Sequence, residues 1–174
     1  EEDALYVHLY VGGRAEARLG DTPVTLTQDT GYPWREQVRL ALELEGETEF
    51  TLALRLPGWC REPELLVNGE AIATHEVAKD GYAHLRRTWR NGDVVELTLP
   101  MQVRRVLAHP AVAANRGRVA LQRGPVLYCL EAVDNGADIR KVYLPRTAAL
   151  QAVERPDLLG GVVTLQGEAL VSVD

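Results

Sequence analysis

Two runs of strict alternation, residues 38–44 and 50–56, constrain the fold more than anything else in this chain. In the first, Val38, Leu40, Leu42 and Leu44 alternate with Arg39, Ala41 and Glu43. In the second, Phe50, Leu52, Leu54 and Leu56 alternate with Thr51, Ala53 and Arg55. Successive side chains on an extended strand point to opposite faces, so this period buries one set and turns the other to water. A helix needs apolar spacings of three and four, which neither run has. Residues 45–49, Glu-Gly-Glu-Thr-Glu, are charged and carry Gly46. The spacing predicts a β-hairpin closed by a short polar loop.

Other segments repeat the pattern. Residues 5–11, Leu-Tyr-Val-His-Leu-Tyr-Val, are rich in aromatic and β-branched side chains and stop at Gly12-Gly13. Residues 24–27 form a shorter candidate strand. Asn68-Gly69 separates 65–67 from 70–72, and Asn-Gly favours a type I′ turn because both central residues need positive φ. Residues 81–89 and 94–99 flank an Asn91-Gly92-Asp93 turn. Further apolar runs lie at 118–122, 125–130, 142–144, 162–165 and 169–173, with a loop at 134–138. Residues 150–159 have room for one helical turn, limited by Pro156. Many short strands with turn signals between them predict an all-β antiparallel sandwich or jelly roll. At 174 residues the chain has room for two small domains. A loss of alternation around residues 106–115 divides it into one complete sandwich, 1–106, and a second, partial one, 107–174.

The charge balance excludes some functions. A net charge of −6 argues against a nucleic-acid surface, which needs a basic stripe. Arg104, Arg105, Arg116, Arg118 and Arg123 are close in sequence and read as solvated strand residues. No apolar run approaches the roughly 20 residues that span a bilayer, so no membrane partner is expected. Residues 1–4, Glu-Glu-Asp-Ala, are acidic where a signal peptide is basic; the location is left open between the bacterial cytoplasm, which is favoured, and secretion.

Candidates for chemistry are sparse. His8, His75, His84 and His109 form no H-x-x-x-H pair, and Cys60 and Cys129 no C-x-x-C, so no metal site is legible. Ser172 is the only serine, which leaves no serine triad. Cys60 follows Pro57-Gly58-Trp59 without a neighbouring base, and both cysteines read as buried thiols in a β-rich core. Glu43, Glu45, Glu47 and Glu49 fall on a solvated edge, and Glu131 is the one carboxylate beside an apolar run. Aromatic residues remain. Trp59 and Trp89 read as caps on the core. Tyr32 and Trp34, in the turn-like stretch 28–34, are the candidates for contact with a sugar or with another domain.

Several stretches, in this order, resemble one family. They are residues 5–11, Gln-Asp-Thr-Gly-Tyr-Pro-Trp at 28–34, Leu-Arg-Leu-Pro-Gly-Trp-Cys at 54–60, Val-Asn-Gly at 67–69, Gly81-Tyr82, the Trp89 to Asp93 turn, Leu-Pro-Met at 99–101, and Gly-Arg-Val-Ala-Leu-Gln-Arg-Gly-Pro-Val-Leu-Tyr-Cys-Leu-Glu at 117–131. Residues 4–145 are similar to the C-terminal part of glycoside hydrolase family 127, the DUF1680 group of β-L-arabinofuranosidases. The resemblance implies a parent with an (α/α)6 catalytic barrel that holds the catalytic glutamates and cysteine-bound zinc, upstream of residue 5. It implies that Cys60 and Cys129 are sandwich cysteines and that no catalytic or metal residue lies here. It also implies that the second sandwich is inserted in the first, whose closing strand comes from further along the chain. The expected role is a non-catalytic accessory domain whose partner is the parent's own barrel. A carbohydrate-binding module or a protein-interaction domain is the alternative.

Overall fold

The computed structural model describes residues 3–135 and 138–172. Gly136 and Ala137, inside the loop expected at 134–138, and Val173 of the last expected run lie outside the described residues. Two compact units divide the chain, Glu1–Met101 and Gln102–Asp174.

The first unit is built from ten strands: β1 Ala4–Val7, β2 Gly13–Leu19, β3 Thr22–Thr30, β4 Gln37–Leu44, β5 Glu47–Arg55, β6 Glu64–Val67, β7 Glu70–Ile72, β8 Ala78–Lys79, β9 Tyr82–Arg90 and β10 Val94–Thr98. One sheet runs β2-β3-β4-β10-β6-β7 and the other β1-β5-β9-β8. Their inner faces share one apolar cluster in which Leu40, Leu42, Phe50, Leu52, Leu54 and Trp89 have no exposed surface. Each such side chain contributes about 1.5–3 kcal/mol by leaving water. Trp89 is accommodated because its Nε1–H donates to the Phe50 carbonyl at 3.0 Å, so the polar end of a buried ring is satisfied. Trp59 packs against the same cluster.

Alternation identified the strands but not their partners. β4 and β5 do not form a hairpin: β4 pairs with β3 and β10, and β5 with β1 and β9. Glu45 and Gly46 carry the chain from one layer to the other, with Gly46 at φ 73°. β9 and β10 likewise lie in opposite sheets. The two apolar faces therefore meet across the core instead of lying side by side. A period of two reports which face is buried and says nothing about which strand is adjacent. The Asn68-Gly69 turn is a hairpin, joining β6 to β7 with φ 53° and 82° at its two central residues. Pairing is antiparallel throughout except for β1, which runs parallel to β5. β2 shows no alternation in the sequence because it is a mostly exposed edge strand.

The second unit contains β11 Val103–Val106, β12 Ala120–Arg123, β13 Val126–Tyr128, β14 Val142–Tyr143, β15 Leu150–Arg155, β16 Val162–Gly167 and β17 Leu170–Val171. They make a three-stranded sheet, β11-β12-β13, and two separate pairs, β14-β17 and β15-β16. Residues 103–106 pair with β12, so they group with the residues that follow them and not with the first sandwich. The helical turn expected within 150–159 is strand instead; pairing with β16 supplies the backbone partners that a six-residue helix would lack at both ends. Cys129, read from sequence as buried within a strand, lies just beyond β13 and is exposed.

Candidate functional site

Tyr32 and Trp34 sit in the link between β3 and β4. The Trp34 and Arg35 N–H groups both donate to the Gly31 carbonyl at 3.0 Å, which closes a tight turn, and the Tyr32 N–H donates to Thr30 Oγ1 at 3.1 Å. Tyr32-Pro33 is a cis peptide. The Tyr32 ring packs edge-on to Tyr10, 5.9 Å between centroids, and against the core. Burial raises its phenol above the usual value, opposed by a hydrogen bond from Trp59. Tyr10 is itself buried and its hydroxyl donates to the Arg55 carbonyl. These contacts bring Tyr32 together with Tyr10 and Trp59 at one end of the sandwich. Trp34 is half-buried.

A larger aromatic group lies on the outer face of the β1-β5-β9-β8 sheet. Register places Tyr6 and His84 on either side of Ala53, and Tyr82 beside Arg55. The small Ala53 side chain lets rings from β1 and β9 close over β5, and Ala53 has no exposed surface. The Tyr6 ring lies 5.4 Å from Tyr82 and 6.1 Å from His84, edge-on in both cases, and 5.9 Å from His8 in a stack. His8 Nδ1 and the Tyr82 hydroxyl share a hydrogen bond of 2.8 Å. Leu9 and Val11, next along the chain, are exposed. Outward faces of sandwich sheets are normally polar; this one carries four clustered rings among its charged residues. Sequence reasoning treated His8 and His84 one at a time. The signal was present as a repeat: Tyr-x-His occurs at 6–8 and again at 82–84, both on outward positions.

Beside the rings, Arg86 binds Asp3 at 2.7 Å and Glu49 at 3.1 Å. The Arg86 hydrogen bond holds the Asp3 carboxyl below its usual range. Asp138 and Asp157 are lowered in the same way by Arg140 and Arg155. A general acid needs the opposite shift. Glu131 is exposed, and its carbonyl accepts from Asn135 in the short helix Ala132–Asn135.

Cys60 lines a groove of about 790 Å³ together with Leu56, Pro57, Leu65, Ile72 and His75. Its N–H donates to the Pro57 carbonyl at 2.9 Å, closing the turn that follows β5. Cys60 and Cys129 are thiols rather than halves of a disulfide. Among the described residues, no three of His, Cys, Asp or Glu converge as a metal site. Among the described residues, no helix is long and apolar enough to cross a membrane.

Comparison with known proteins gives a consistent result. Residues 4–101 match the family model "Beta-L-arabinofuranosidase, GH127 middle domain" and residues 103–165 match "Glycoside hydrolase family 127 C-terminal domain". A non-reducing end β-L-arabinofuranosidase of Bifidobacterium longum is 36% identical over an alignment of 168 residues that covers 91% of this chain and 24% of that protein. The crystal structure of a GH127 β-L-arabinofuranosidase from Geobacillus stearothermophilus T6 is 51% identical, with a TM-score of 0.93 over 97% of this chain and 27% of that one. A second solved GH127 β-arabinofuranosidase is 34% identical, with a TM-score of 0.91 over 97% of this chain and 29% of its own. The chain spans about a quarter of the length of these relatives. On the two family-model matches and the shared fold, the chain belongs to glycoside hydrolase family 127.

Proposed function

We propose that this chain is the non-catalytic, accessory β-sandwich portion of a family-127 β-L-arabinofuranosidase, and that it packs on and stabilises a catalytic barrel. The outer-face ring array carries this reading. Tyr6, His8, Tyr82 and His84 give the first unit a cluster of rings on an outer face that is otherwise charged. The exposed, Arg-paired carboxylates support the non-catalytic half of it, because their chemistry is the reverse of a general acid's. Zinc and the catalytic carboxylates would then be supplied by the barrel.

The test is an assay of the 174-residue chain and of a longer parent on β-L-arabinofuranosides. Turnover by the parent and none by the chain is expected; turnover by the chain alone overturns the reading. Tyr6→Ala in the parent should lower its melting temperature with little change in KM. A second reading rests on Trp34, half-buried in its tight turn and so able to offer part of a ring to a sugar, with Tyr32 beside it. Calorimetry with arabinan oligosaccharides decides it, since equal heats from the wild type and Trp34→Ala would remove it.

A further inference from the structure

The outer sheet of the first unit ends in a row of basic and aromatic residues. Lys79 pairs with Tyr82 and Tyr82 with Arg55, while His8 follows Val7, the partner of Leu54. Directly paired residues on neighbouring strands share a face, so Lys79, Tyr82, Arg55 and His8 stand in line across β8, β9, β5 and the end of β1. This rung is the last of the sheet: β1 stops at Val7, β5 at Arg55 and β8 at Lys79, and β9 starts at Tyr82. Lys79, Arg55 and His8 are exposed and Tyr82 is half-buried. The strand spacing sets Lys79 and Arg55 on either side of Tyr82, about 10 Å apart at their Cα atoms. The Tyr82 and His8 rings meet edge-on at 5.7 Å and share their 2.8 Å hydrogen bond above β5. The backbone at Arg55 is fixed by the hydrogen bond its carbonyl accepts from Tyr10. Burial raises the phenols of Tyr10 and Tyr32 and the Arg55 charge opposes it, which puts the guanidinium near both rings.

Charge on this row is unmatched. Elsewhere on the same sheet Arg86 holds Asp3 and Glu49, and Arg90 holds Glu47. Among the described residues, neither Arg55 nor Lys79 makes an ion pair, and Asp80, next to Lys79 in the chain, is bonded to neither. Carboxylates outnumber cations in this chain, whose net charge is −6, yet none is spent here. We propose that the row is a binding site for an acidic glycan, one whose sugar rings carry carboxylates. The planar donor fork of Arg55 matches a carboxylate, and Lys79 adds a second point charge. The rings favour a sugar over an acidic peptide. A pyranose presents a C–H face that packs on an aromatic ring, and hydroxyls that bond the phenol and imidazole at its edge. Because the rung is the last of the sheet, a partner seated over Tyr6 and His84 can leave it open at the rim. The site therefore goes beyond the accessory reading and does not rest on it.

Calorimetry of the 174-residue chain with tri-galacturonate and with galactotriose tests it. The acidic trimer should bind, the neutral one should not, and the affinity should fall as salt rises. Arg55→Gln should weaken binding at least about tenfold with the melting temperature unchanged, since the guanidinium gives up no ion pair within the fold. Lys79→Gln should weaken it by a smaller factor. The ring resonances of His8 and Tyr82 should shift on titration. Equal heats from the two trimers, no heat from either, or the same affinity in Arg55→Gln overturns the proposal. A shift at Trp34 with none at Tyr82 overturns it in favour of the β3-β4 turn. Oligoglutamate that binds as tightly, with the same loss in Arg55→Gln, overturns it in favour of an acidic peptide. The accessory reading is tested separately, because the turnover assay and the Tyr6→Ala melt do not depend on which trimer binds.

Discussion

Asp93 shows how single residues hold this fold in place. It is the one buried charged residue among those described, and both carboxylate oxygens are engaged: Oδ1 accepts from Asn68 Nδ2 at 2.8 Å and Oδ2 from the Arg90 N–H at 2.9 Å. Asn68 Oδ1 accepts in turn from the Val94 N–H at 2.9 Å. The Asn-Gly turn was legible for its φ preference, yet its side chain also clamps a second turn, and spacing along the chain gives no hint of that. Asp93→Ala should cost about 1.5–3 kcal/mol by removing the charge-assisted hydrogen bonds from Asn68 and the Arg90 N–H, read as a lower urea midpoint with an unchanged slope. Tyr10 makes a pH prediction. Burial, with Tyr32 beside it, pushes its phenol well above the ordinary value of 10. Above pH 10 the unfolded chain loses the proton and the folded chain keeps it, so the folded state binds more protons and stability falls as pH rises. Tyr10→Phe should therefore lose less stability than wild type between pH 9 and pH 11 in parallel urea titrations.

At the scale of elements, strand existence was readable and strand adjacency was not. The inward positions of β4 and β5 were all marked by alternation, because burial of one face leaves a direct trace in composition. Which sheet each strand joins depends on a two-residue link that can turn within a layer or cross between layers. Edge strand β2 was missed for the converse reason: with both faces largely wet, it had no apolar period to read. Gly46 tests the crossing. Its φ of 73° is one that a β-branched residue adopts only under strain. Gly46→Val should destabilise the first unit by about 1–2 kcal/mol, measured as a drop in melting temperature. Ala53→Leu tests the ring array. A larger side chain under Tyr6 and His84 must push the rings apart, so the hydrogen bond between His8 and Tyr82 should be lost, visible as a changed Tyr82 hydroxyl resonance.

For the whole molecule, stability resides in the first unit. Leu97→Ala, in the middle of its cluster, should cost about 2–5 kcal/mol, whereas Val163→Ala in the second unit should leave the main unfolding transition in place. A fluorescence melt that follows Trp89 distinguishes the two. The candidate contact surface was only partly legible, and for a physical reason. Tyr32 and Trp34 announced themselves as aromatics in a turn, while the stronger cluster is assembled from strands far apart in the chain, β1 and β9, with β5 between them. No local window contains it.

The crossings between layers carry a kinetic consequence. β2-β3-β4, β6-β7 and β8-β9 can each zip from an adjacent turn, but β4 leads into β5 and β9 into β10 without pairing, so neither layer closes from local turns alone. Residues 4–7 must find 51–54, and 94–98 must find 37–41, before either layer is complete. Loop closure on that scale precedes its reward, and such topologies fold in about milliseconds to seconds rather than microseconds. A nascent chain of this family therefore spends its early life with apolar strands made and unmatched, which is when a chaperone would have most to do.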